Sequence, residues 1–84
     1  MPQPAVGRRI LKFPDDTQVG VVGLDAIMAD LLAQGLEPGE QVAEQIMERL
    51  EKEKNYIPTA ERARREYAYA LLKEYRRYVK DRKG

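Results

Sequence analysis

Residues 18–36, QVGVVGLDAIMADLLAQGL, decide the fold, because the hydrophobic pattern changes character inside them. Up to Val22 the stretch is β-rich, with valines at 19, 21 and 22. From Leu24 onward, apolar residues fall at Leu24, Ile27, Met28, Leu31 and Leu32, the i, i+3, i+4, i+7, i+8 spacing of one helix face. Asp25 is placed to cap the start of that helix, and Gly35 followed by Leu36 reads as a left-handed stop with its hydrophobic contact. Glycines 20 and 23 border the strand exit, but no Gly-Lys-Thr or third glycine completes a nucleotide fingerprint.

Upstream, residues 10–13 (ILKF) form a second β-rich run, and Pro14-Asp15-Asp16-Thr17 lies between the two runs. Proline presets a turn and the aspartates bond nearby amides, so the pair predicts a hairpin. Turn formation also accounts for the adjacent carboxylates Asp15 and Asp16 better than metal binding does, since a turn tip makes a poor cleft. A two-stranded ribbon is marginal in water, so it has to lie on helices or pair with another ribbon.

Downstream, a second helix is expected from about Pro38 through Val42, Ile46, Met47 and Leu50, with Glu40, Glu44, Glu48 and Glu51 on its other face. Asn55 ends it, because Ile57 precedes Pro58 and is pushed to an extended conformation. Thr59 is the expected N-cap of a third helix, and residues 60–81 contain neither Gly nor Pro. At 1.5 Å per residue that helix is about 33 Å long, enough to cross the whole molecule or project from it. The expected fold is therefore α+β and mostly helical, ββααα with a long third helix and close to two thirds of the chain in helices. Residues 1–7 are expected to form a flexible tail and 8–84 a single small domain. The expected core is Leu11, Phe13, Val19, Val21, Leu24, Ile27, Met28, Leu31, Leu32, Val42, Ile46, Met47, Leu50, Ile57, Tyr67, Ala70, Leu71 and Tyr75.

The 84 residues include no Cys, His or Ser. That composition excludes disulfides, iron–sulfur clusters and hydrolase triads, and it removes the commonest general base and metal ligand at neutral pH. We expect no enzyme activity, cofactor or metal. The longest uncharged apolar run, residues 19–24, is far too short for a membrane span, and Arg8-Arg9 leads into charge and not into the apolar stretch of a signal peptide. No membrane partner and a cytoplasmic location are expected. The net charge of +1 hides segregation: residues 1–13 carry +3, residues 14–55 carry −7 and residues 56–84 carry +5.

Two surfaces of the third helix are candidates for function. A wheel at 100° per residue places Ala60, Ala63, Tyr67, Ala70, Leu71, Tyr75 and Tyr78 on one face, extended by Leu72 and Val79. Most of this face is expected to be core, while Tyr75, Tyr78 and Val79 form a candidate protein interface, since tyrosine favours such patches. The opposite face carries Arg62, Arg65, Tyr69, Lys73, Arg76, Lys80 and Lys83, a candidate polyanion-binding stripe with an aromatic able to stack on an unpaired base. Helices one and two do not make a helix-turn-helix, because the second would present four glutamates to DNA. The expected function is a small non-enzymatic protein–protein interaction or accessory module, with a second copy of itself among its candidate partners. The alternative is a nucleic-acid-binding accessory protein that uses the basic stripe.

Overall fold

In the computed structural model, residues 8–13 and 16–83 are described, without the side chains at 8 and 83. The expected tail at 1–7, Pro14-Asp15 of the turn and the Lys83 side chain lie outside them. The order is β1 (Arg8–Lys12), β2 (Gln18–Val22), α1 (Leu24–Ala33), α2 (Glu40–Lys52) and α3 (Glu61–Lys83). Strands β1 and β2 form an antiparallel ribbon with Arg9 opposite Val21 and Leu11 opposite Val19. The hairpin closes where Asp16 N–H donates to the Phe13 carbonyl and Phe13 N–H donates to the Thr17 carbonyl, each at 3.0 Å. Helices of 10, 13 and 23 residues leave the helical share short of two thirds. The loss falls on α2, which starts at Glu40 with Gly39 at its N-cap and ends at Lys52, whereas α3 runs from Glu61 to Lys83 with Ala60, not Thr59, in the cap position, its carbonyl accepting from Arg64 N–H.

Period and punctuation account for α1. Gly23, with φ of 86°, occupies the N-cap position in a left-handed conformation suited to glycine. Asp25 therefore stands inside the first turn and does not cap the helix. At the other end, Leu36 N–H reaches the Leu31 carbonyl and Gly35 N–H the Leu32 carbonyl, with Gly35 at φ 79°. This is the paired 6→1 and 5→2 bonding of a Schellman stop. The end of α2 repeats it, with Asn55 N–H to Leu50 and Lys54 N–H to Glu51, but the left-handed position is held by Lys54 at φ 67°. A side chain there is strained against the following carbonyl. Replacing Lys54 by Gly is expected to raise the unfolding free energy by about 0.5–1 kcal/mol, less than the full strain because glycine also loosens the unfolded chain. Urea titration checks this as a higher midpoint at unchanged slope.

The core joins both layers. Leu11 and Val21 from the ribbon meet Leu24, Ile27, Met28 and Leu31 of α1, Val42, Ile46, Met47 and Leu50 of α2, and Tyr67, Leu71 and Tyr75 of α3. Phe13, Val19, Leu32 and Ile57 pack against this cluster half-buried, and Ala43 joins the buried set although its small size hid it in the sequence. Phe13 and Tyr67 stack with ring centroids 6.0 Å apart. Ala60 and Ala63, placed on the buried face by the helical wheel, are exposed instead, because burial on α3 starts only at Tyr67. The 23 residues of α3 span about 34 Å at 1.5 Å each. The molecule measures 34 × 34 × 24 Å, so the helix crosses it from end to end.

Candidate functional site

The two surfaces anticipated on α3 differ in what the fold leaves accessible. Tyr75 has no exposed surface, and its hydroxyl donates to the Leu36 carbonyl at 2.7 Å. Burial and the nearby Glu37 carboxylate push its pKa above the ordinary tyrosine value. Tyr78 and Val79 are half-buried against the core, and the Arg82 guanidinium lies 4.6 Å from the centre of the Tyr78 ring. Tyr75 thus has to be removed from the candidate interface: the loop after α1 reaches far enough along α3 to cover it. Only the outer parts of Tyr78 and Val79 stay available.

The basic stripe does share one open face. Arg62, Arg65, Tyr69, Lys73, Arg76 and Lys80 are all exposed. Arg65 pairs with Glu61 at 3.7 Å one turn earlier, and the Lys73 ammonium sits 5.5 Å from the centre of the Tyr69 ring. Arg62, Arg76 and Lys80 have no carboxylate partner among the described residues. Across the molecule the glutamates of α2 are exposed as well, and one of them, Glu44, reaches Arg64 at 3.3 Å.

The ribbon presents a third surface. Asn55 takes both backbone groups of Val22: Val22 N–H donates to Asn55 Oδ1 and Asn55 Nδ2 donates to the Val22 carbonyl, each at 3.0 Å. The same Nδ2 also reaches the Leu50 carbonyl at 3.3 Å. Val22 therefore points its backbone away from β1, and with the observed register the alternation of an antiparallel ladder fixes the remaining pairs. Arg9–Val21 and Leu11–Val19 are the hydrogen-bonded pairs of the ribbon, in phase with the Phe13 N–H bond to the Thr17 carbonyl beyond it. Ile10 and Lys12 turn their N–H and C=O groups to the outer edge of β1. Asn55 thus takes up the outer backbone groups of β2 at Val22, while those of β1 at Ile10 and Lys12 stay open.

A groove of about 350 Å³ runs along that open edge, between Ile10 and Lys12 on one wall and Ala70, Lys73, Glu74 and Arg77 of α3 on the other. Ile10 is 50% exposed. Beneath it, Arg9 points to the inner face of the ribbon and binds Asp25 and, at 2.9 Å, Glu74. Glu74 also lies 3.6 Å from Arg77, so the one carboxylate in the groove is held by two guanidiniums. The hydrogen bond to Asp25 pushes the Arg9 pKa still higher, which keeps this tie between ribbon, α1 and α3 charged.

The unpaired ribbon edges were legible in the sequence, but not that Asn55 binds one of them at Val22 or that α3 flanks the other. Lys12 was the available signal, since a lysine on a strand is a common guard of an open edge. No family model, no curated protein sequence and no solved structure matches this chain.

Proposed function

We propose that the chain is a non-enzymatic protein–protein interaction module that docks its partner along the open edge of β1. The observation that carries this reading is the pair of outward-facing backbone units at Ile10 and Lys12, bordered by a groove and by a half-exposed isoleucine. Strand addition uses such an edge, with main-chain hydrogen bonds for affinity and flanking side chains for selectivity. The reading is tested by placing a photo-crosslinking residue at Ile10 in cells that express the chain, with the same residue at Glu48 on α2 as the control. Protein adducts from position 10 and none from position 48 are expected. An equal yield from both positions, or none from either, overturns it.

A second reading, nucleic-acid binding, draws on the exposed row Arg62, Arg65, Tyr69, Lys73, Arg76 and Lys80. Phosphates would be neutralised along that row and counterions released, so affinity would fall steeply with salt. Against it stands Lys73, which already covers the Tyr69 ring that a base would stack on. The seven net negative charges of residues 14–55 oppose approach from other directions. At physiological salt we expect no retention of single-stranded or duplex oligonucleotides in a filter-binding assay. Binding that weakens with salt and disappears when Arg65, Lys73 and Arg76 are all changed to Gln promotes this second reading.

A further inference from the structure

Resting on the edge-docking reading, we infer that the occupant of the β1 edge is an extended, acid-rich segment of another protein. Three cations, Lys12, Lys73 and Arg77, border the groove. Its single acid, Glu74, is mostly buried and already spans Arg9 and Arg77. Lys12 and Lys73 have no carboxylate partner among the described residues. An arriving strand with carboxylates at alternate positions supplies those partners while its backbone pairs with Ile10 and Lys12.

Other occupants fit the same edge less well. A second copy would bring its own β1, whose sequence RRILK carries three cations and no acid, against a wall of cations. Like charges placed opposite one another on paired strands are destabilising. A nucleic-acid backbone satisfies the cations but lacks the alternating donors and acceptors that Ile10 and Lys12 present. The groove also has a direction. Past Lys12 it continues to Phe13 and the 60% exposed Tyr69, where the second acid, Glu66, lies. The acidic residues of the occupant therefore belong opposite Lys12 and Lys73, and its apolar residues beyond them, beside Phe13.

The test titrates the full chain, ¹⁵N-labelled, with a short peptide alternating Glu and Val, followed by amide chemical shifts. Controls are the peptide alternating Lys and Val, and the Glu-Val peptide with its edge-facing amides N-methylated. Shifts centred on Ile10 and Lys12 are expected with the acidic peptide alone. Charge reversal by Lys12→Glu and Lys73→Glu together, on two exposed side chains, should weaken binding by about tenfold. Equal binding of the basic peptide, or binding indifferent to N-methylation, overturns the inference. So do shifts confined to Arg62, Arg76 and Lys80, or no binding at all. Sedimentation separates this failure from that of the underlying reading: a dimer abolished by Ile10→Pro puts a second copy on the edge, overturning the acidic occupant while leaving edge docking in place.

Discussion

Replacing Asn55 by Ala is expected to lower the unfolding free energy by about 2 kcal/mol, although Asn55 belongs to no helix or strand. Its carboxamide makes three hydrogen bonds, two to Val22 and one to Leu50. A typical intramolecular bond contributes about 1 kcal/mol net, and the two at Val22 can be partly replaced by water because they lie near the surface. The loss should also be local. Asn55 joins the last residue of β2 to the last turn of α2, so without it the ribbon detaches from the bundle before the helices unfold. Amide hydrogen exchange at Val21 and Val22 should accelerate more than exchange at Ile46 or Leu71. Asn55→Asp should cost at least as much, because the new carboxylate keeps only the acceptor role and faces the Val22 and Leu50 carbonyl oxygens. Uniform acceleration across all helices would show that Asn55 supports the whole fold and not the ribbon junction.

The second large effect is a loss of stability at alkaline pH, set by two tyrosines on the buried face of α3. Tyr67 is 1% exposed, and its hydroxyl has no hydrogen-bond partner among the described residues. Burial pushes its pKa up to about 12 from the ordinary 10.0. Between those values the unfolded chain releases the phenolic proton while the folded chain keeps it. The folded state then binds more protons, and stability falls as pH rises through this window. Tyr67 alone is therefore expected to remove about 2 kcal/mol of stability by pH 12, with little lost below pH 10. Tyr75 is shifted in the same direction and adds to the slope.

Phenylalanine substitutions separate the two residues. Tyr67→Phe removes a buried hydroxyl that bonds nothing, and is expected to raise stability at neutral pH by about 1 kcal/mol and to flatten the alkaline decline. Tyr75→Phe breaks the bond to the Leu36 carbonyl and is expected to lower stability by about 1 kcal/mol. Urea unfolding at pH 7 and pH 11 measures all three proteins. Equal effects of the two substitutions at pH 7 would contradict the difference in their partners.

These residues mark the boundary between local and tertiary information. The two strands, the α1 periodicity, the Gly35-Leu36 stop and nearly every core position were legible in the sequence. Each depends on backbone preference and hydropathy within one turn or one strand, which act without knowledge of the rest of the chain. The α2 start was misplaced because Pro38 is tolerated both in a first helical turn and just before one. What the sequence left open was decided by contacts between distant residues. Asn55 binds Val22 across 33 positions and Arg9 binds Glu74 across 65. Tyr75 was legible both as core and as a candidate interface residue, and it is core because Leu36, 39 positions away, comes to rest against it. The periodicity of α3 offers a broad apolar face and a basic one, but how much of each is covered depends on where α1, α2 and the ribbon are laid along 34 Å of helix. Likewise, a ribbon has two equivalent edges in sequence. Asn55, just past α2, binds one of them at Val22 and α3 flanks the other across a groove, an asymmetry that exists only after the helices have packed.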